Sequence, residues 1–305
     1  MTTAYVFPGQ GAQAVGMGAD AYARSDAARA VFDEADDALG FALSSLILDG
    51  PADELVRSHN AQPAILCVSV AMLRAAQEAL GGALPGPACL AGHSVGEYSA
   101  LVAADALSLA DGLRLVRTRG ELMQAACEAT PSGMAALIGL ALEPSLQACE
   151  GTGAQVANVN SAEQIVIGGP NDALERAIAN AQELGARRAI RLDVAGAFHT
   201  EAMRPAQEGM ERALASASLR APSAPVIANT TASPMESPEQ ILDELAAQVC
   251  GCVYWRQSVE RMASLGADRF IEFGPGNVLT GLAKRIAPKA AAAAATDLDA
   301  ISALA

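Results

Sequence analysis

The chain has 305 residues, 51% hydrophobic and 18% charged, which describes a folded globular protein with room for two domains rather than a disordered one. With 34 acidic residues against 20 basic ones the formal charge is −14, so phosphate backbones are repelled and nucleic acid is excluded as the main partner. Six cysteines, with no C-x-x-C pair and no histidine at zinc spacing, point away from a metal site and toward reduced thiols in a cytoplasmic protein.

In chain order, residues 4–7 read as a short buried strand that ends in the breakers Pro8-Gly9-Gln10-Gly11. Helical periodicity follows over about 19–40 and 62–80. A strand of small residues at 88–91 leads into Gly92-His93-Ser94-Val95-Gly96 and a helix over 95–104. Strand, turn and helix alternate, which predicts an α/β sheet covered by helices. Residues 133–195 keep a different rhythm: strand 134–140, helix 143–150, strands 156–160 and 164–168, helix 171–184, strand 188–194. That β-α-β-β-α-β order is ferredoxin-like. It predicts a small subdomain over 131–196 inserted into a large α/β domain made of 1–130 and 197–305. Residues 226–229 and 269–273 read as further buried strands, and the alanine-rich 289–305 as a weakly ordered or helical tail. The N-terminus carries no signal-peptide pattern, and no run of about 18 apolar residues stands out, so no membrane association is expected.

Gly92-His93-Ser94-Val95-Gly96 matches G-x-S-x-G. A serine on a sharp strand-to-helix turn projects its hydroxyl, and the crowded turn tolerates only small residues at the two glycine positions. The following helix aims its N-terminal N–H groups at the same point. Such a serine needs a general base. Of the three histidines, His93 adjoins the serine and points elsewhere, and His59 lies in a polar stretch. That leaves His199, on the loop where the inserted subdomain returns to the large domain. No acidic third member is evident; a backbone or amide carbonyl can orient the imidazole instead.

The helix around 111–127 holds an anomaly. Arg114 and Arg117 have acidic helical neighbours, but Arg119 has Leu115, Val116, Leu122 and Met123 at i±3 and i±4. A buried arginine needs a partner, either a protein carboxylate or a ligand, and its fork fits a carboxylate in bidentate fashion.

Together these residues resemble a family. Phe7-Pro8-Gly9-Gln10-Gly11, Gln62-Pro63-Ala64, Gly92-His93-Ser94-Val95-Gly96-Glu97-Tyr98-Ser99-Ala100, Arg119-Gly120, Ala197-Phe198-His199 and the segment from Gly274-Pro275-Gly276 to Leu282 are similar to the malonyl-CoA:acyl carrier protein transacylases. The acyltransferase domains of polyketide synthases share much of the pattern. The resemblance runs from about residue 4 to 286 and implies a hydrolase-like α/β domain with an inserted ferredoxin-like subdomain. It implies Ser94 as nucleophile, His199 as base and then acid, and Gln248 as the residue whose carbonyl steadies the histidine. The backbone N–H groups of Gln10 and Val95 would form the oxyanion hole. Arg119 would grip the malonyl carboxylate, with Phe198, Met123 and Gln62 at the substrate. Cys252 stands where the family often has proline before Val-x-Trp.

The implied reaction is ping-pong acyl transfer from malonyl-CoA to an acyl carrier protein, serving fatty acid or polyketide synthesis, with no metal and no cofactor beyond the coenzyme A thioester as substrate. Arg187-Arg188 and Lys284-Arg285 are the basic clusters suited to docking an acidic carrier. The alternatives are a serine thioesterase or esterase using the same elbow, and a non-catalytic scaffold subunit.

Overall fold

The computed structural model describes residues 1–304. Among them ten strands follow in chain order: β1 (Thr3–Phe7), β2 (Pro87–Gly92), β3 (Ser132–Ile138), β4 (Gln155–Ser161), β5 (Gln164–Pro170), β6 (Arg188–Arg191), β7 (Val226–Ile227), β8 (Pro234–Met235), β9 (Arg269–Phe273) and β10 (Ala291–Ala295). They form two sheets, ordered β10-β9-β1-β2-β7-β8 and β4-β5-β3-β6. In the first, only the β7–β8 pair is antiparallel. β1 is buried on both faces, as a parallel strand between helical layers must be. The second sheet is antiparallel throughout, and its helices Leu142–Cys149 and Asn171–Glu183 complete the ferredoxin-like order. All four of its strands fall within 131–196.

The parallel strands deliver their C-terminal ends to one rim. β1 runs out into Pro8-Gly9-Gln10, β2 into His93-Ser94 and β7 into Asn229. In open α/β sheets that rim is where ligands bind. The small sheet is fastened beside it by backbone bonds from Val159 N to Val253 O and from Val253 N to Ala157 O, both 2.9 Å.

Two helices carry most of the large domain's core. Ser58–Leu80 buries Ile65, Leu66, Val68 and Met72, and Leu109–Ala129 packs across it with Leu113, Val116 and Met123. Each fully buried side chain of this kind contributes about 1.5–3 kcal/mol. Pro63, inside the first helix, cannot donate to the His59 carbonyl. Arg117 Nη1 supplies that carbonyl with a donor at 3.0 Å instead, which also draws Arg117 partly inside rather than leaving it at the surface.

Two expectations need correction. The window from Ser58 to Ala83 is long and apolar enough by composition to cross a membrane, with mean hydropathy 1.4, although no such run was expected. Two-thirds of its best 18-residue stretch is buried inside the protein, as in a core helix. The tail is also not loose. Ala291–Ala295 pairs with β9 in parallel register, and Leu298–Ser302 is a helix whose Ile301 is fully buried. Alanine has little strand preference of its own. The open edge of β9 and the anchors that follow override it, with Asp20 Oδ2 accepting from Leu298 N at 2.9 Å.

Candidate active site

Ser94 sits between β2 and the helix Gly96–Ala103, with φ +53°. A non-glycine residue in the left-handed region is strained and persists only where its surroundings impose it. The chain must turn this sharply because Gly92 and Gly96 touch. A Cβ on Gly92 would fall 1.9 Å from the Gly96 carbonyl, and one on Gly96 would fall 2.2 Å from the Phe7 carbonyl oxygen. Backbone atoms cannot retreat from such contacts. Gly96→Ala is therefore expected to cost about 3 kcal/mol or more in urea denaturation, against near-neutrality for alanine at the open Gly82.

His199 also has a positive φ, +59°, and its Nε2 lies 2.7 Å from Ser94 Oγ. Its Nδ1 lies 2.8 Å from the Gln248 backbone carbonyl. A carbonyl only accepts, so Nδ1 carries the hydrogen and Nε2 presents its lone pair to the serine. Burial, and after it the Arg119 charge, push this imidazole from 6.5 down to about 3. It is a neutral base across the ordinary pH range.

Arg119 is 1% exposed. Its Nη1 donates to Gln62 Oε1 at 2.8 Å, and its Nη2 to Gln248 Oε1 at 2.8 Å and Ser94 Oγ at 3.2 Å. Among the described residues no carboxylate oxygen comes within 4 Å of it, and its Nε has no partner. The choice between protein carboxylate and ligand therefore falls to neither direct carboxylate nor open solvent: two amide oxygens hold the fork beside the serine.

A cleft of about 520 Å³ opens here, lined by Gln10, Ser94, Arg119, Met123, Phe198 and His199 among others. Gln62 does not line it. It is fully buried, with its Nε2 3.6 Å from Met123 Sδ and its Oε1 on Arg119, so it braces Arg119 from behind. Among the described residues the backbone N–H groups of Gln10 and Val95 have no hydrogen-bond partner; Gln10 lines the cleft, and Val95 follows Ser94, which lines it. His93 points away to Asn160 Oδ1 at 3.0 Å. Asp193 lines the cleft, but among the described residues it makes no hydrogen bond to His199, whose Nδ1 is taken by the Gln248 carbonyl. Cys252 does not displace the segment that follows it, because Val253 is pinned to β4 and Trp255 is fully buried.

The four docking candidates Arg187, Arg188, Lys284 and Arg285 are exposed. Arg187 and Arg285 line one groove of about 460 Å³ together with Arg256. Ser161 of β4 lines this groove and Asn158 lines the cleft, about 10 Å apart along the strand.

The sequence reading assigned no role to two residues. Asn229, fully buried, accepts the Ser94 N–H at 2.7 Å and donates to the Gly92 carbonyl at 2.7 Å. Glu97, also fully buried, receives the Asn229 N–H at 2.8 Å and Gln248 Nε2 at 2.5 Å. Burial, and after it the neighbouring Glu244, hold the Glu97 carboxyl well above its ordinary value, and the N–H donors and Arg119 offset this only in part. Every polar group hydrogen-bonded to it is a donor, so both of its oxygens accept, which opposes the upward push of burial. For Glu97 the signals in the sequence were its place in the Gly92–Ala100 motif and a glutamate in the first turn of a largely apolar helix.

A serine activated by a neutral histidine, with a fixed cation at its side, suits transfer of an acyl group that carries its own negative charge. Comparison with known proteins points to the same class of reaction. An acyl transferase domain matches residues 4–298. The malonyl CoA-acyl carrier protein transacylase of Bacillus subtilis is 43% identical over 288 residues, 93% of this chain and 90% of that protein. An acyl carrier protein S-malonyltransferase from Vibrio cholerae superposes with TM-score 0.96 at 41% identity, over the whole of both chains. A malonyl-transacylase solved in complex with the acyl-carrier protein of a type II polyketide synthase superposes at 0.95, with 38% identity over 100% of this chain and 99% of that one. With the family model, the curated relatives and the solved structures each matched over nearly its full length, the chain belongs to the malonyl CoA-acyl carrier protein transacylase family of acyl transferases.

Proposed function

We infer that the protein moves a malonyl group from coenzyme A to the pantetheine thiol of an acyl carrier protein, by way of an ester on Ser94. The observation that carries the substrate choice is Arg119, a buried cation with its Nη2 3.2 Å from the serine hydroxyl and no carboxylate partner. His199 Nε2 takes the Ser94 proton as Oγ attacks the thioester carbon. The N–H groups of Gln10 and Val95 hold the oxyanion; losing one such donor typically costs about 10²–10³ in rate. The carbon–sulfur bond breaks and the proton passes from His199 to the departing thiolate. The carrier thiol then gives its proton to His199, its sulfur attacks the seryl ester, and Ser94 leaves with that proton. Neither half changes an oxidation state, so coenzyme A enters only as substrate.

Phe198 forms part of the cleft wall at 8% exposure. Its ring occupies space an α-methyl group would need, a discrimination of about 1–3 kcal/mol. A hydrolase of neutral acyl groups has no use for Arg119, and the relatives named above are transferases. Six unpaired cysteines support a reducing, cytoplasmic setting. Residues 131–196 act on this reading as the inserted subdomain that forms one wall of the cleft.

Two outcomes test the reading. Mixing with malonyl-CoA is expected to add one malonyl group to the intact protein by mass spectrometry. Because His199 is held near 3, kcat/KM with malonyl-pantetheine, a donor without phosphates, should stay level from pH 7 to pH 5. A base of pKa 6.5 would lose about 20-fold over that interval, so an acid limb near 6.5 would contradict the buried-base assignment.

The carrier reading rests on the groove that holds Arg187 and Arg285, which lies about 10 Å along β4 from the cleft. Reversing the charge at Arg187, Arg188, Lys284 and Arg285 together is expected to raise the KM for carrier protein about tenfold or more, and to leave acylation by malonyl-CoA within twofold. Equal damage to both half-reactions would remove the groove from consideration.

A further inference from the structure

We propose that Glu97 is a positioning residue for malonyl selection, a buried anion that sets the direction of the Gln248 carboxamide and thereby holds Arg119 toward the acyl group. The proposal rests on the malonyl reading above. Its ground is the arrangement of groups whose hydrogen-bonding sense admits no choice. The Arg119 guanidinium only donates, and it meets one end of the Gln248 carboxamide at 2.8 Å. The Ser94 carbonyl only accepts, and it meets the other end at 3.0 Å. These two fix the amide: oxygen toward Arg119, nitrogen toward Ser94. The same nitrogen then faces Glu97 Oε2 at 2.5 Å, so that oxygen must accept. The other oxygen, Oε1, faces the Asn229 backbone N–H at 2.8 Å and its side-chain amide at 3.0 Å, so it must accept too. With a donor on each oxygen and, among the described residues, no hydrogen-bonded acceptor to take a proton, this arrangement favours the carboxylate. Glu97 is thus the counter-charge of Arg119, relayed through one amide rather than in contact with it.

The relay reaches further. Asn229, held by Glu97, accepts the Ser94 N–H, and Gln248 accepts from His199 through its backbone carbonyl. A glutamine at position 97 would have to aim an N–H2 group at one of these donors. If it faces Gln248, that amide either loses its partner or reverses, and reversal sets its nitrogen against Arg119. The cation is then released from its place beside the serine. A glutamate serving only to fill the core would affect all acyl groups alike.

The decisive quantity is the ratio of kcat/KM for Ser94 acylation by malonyl-CoA to that by acetyl-CoA, because the ratio is independent of how much of a variant is folded. Glu97→Gln is expected to lower it about tenfold or more. Glu97→Asp keeps the charge but withdraws it by one methylene from Gln248, and is expected to lower the ratio about threefold. If Glu97→Gln does not accumulate, Glu97→Asp decides the matter alone. A ratio within 1.5-fold of that of the unaltered protein in either variant overturns the proposal, whatever the total activity. A protein with wild-type sequence that shows no preference for malonyl would instead overturn the proposed function.

Discussion

His199→Ala is expected to lower the rate of Ser94 acylation by about 10⁴–10⁶-fold, the cost of removing the base from a serine–histidine pair that works as a unit. Three observations set that magnitude. The Nε2–Oγ distance of 2.7 Å is already that of a hydrogen bond in the resting enzyme, so no rearrangement precedes proton transfer. The Gln248 carbonyl on Nδ1 selects the tautomer that leaves Nε2 free. Burial keeps the ring neutral and no other imidazole can substitute, since His93 turns to Asn160. Release of coenzyme A after rapid mixing with malonyl-CoA measures the step, and Ser94→Ala provides the baseline. The residual rate of His199→Ala should exceed that baseline, because the Gln10 and Val95 N–H groups and Arg119 remain. A loss of less than 100-fold would mean that some other group takes the proton. Unfolding is separable by the thermal midpoint of the same variant.

How much of this was legible beforehand follows from the kind of signal each residue leaves. Ser94 and the two glycines lie within five residues, and the steric demands of one turn select all three, so a short motif records them. Arg119 was legible through periodicity, because a cation in an apolar helical stripe violates the pattern that packing imposes. What periodicity left open was its partner. The answer lay at Gln62 and Gln248, 57 and 129 residues away, and no local rule joins them. Asn229 was invisible for the same reason: its partners Ser94 and Gly92 lie 135 and 137 positions earlier. The ferredoxin-like order of the subdomain was readable because its strands alternate with amphipathic helices. The alanine strand Ala291–Ala295 was not, since composition argued for helix or disorder and only the waiting edge of β9 made it a strand.

Arg119→Ala is expected to reduce acylation by malonyl-CoA roughly 30- to 5000-fold, corresponding to about 2–5 kcal/mol for removing one member of a buried charge pair. Acetyl-CoA has no carboxylate to lose and should suffer less, or gain. The comparison matters because truncation has a second effect. Removing the guanidinium leaves Gln248 Oε1 without its donor and Glu97 as an uncompensated anion in the interior. That disturbance reaches Ser94 and His199 with any acyl donor, so it lowers both rates and cancels in their ratio. The part that does not cancel belongs to the malonyl carboxylate. Arg119→Lys separates charge from shape. A lysine ammonium keeps the charge, but it cannot span Gln62, Gln248 and a substrate carboxylate at once, because it lacks the planar fork. Its ratio should therefore fall between those of alanine and arginine. An unchanged malonyl-to-acetyl ratio in Arg119→Ala would make the arginine a strut of the core, and the acyl group would then have to be recognised through the apolar wall of Met123 and Phe198, neither of which can tell a carboxylate from a methyl group by charge.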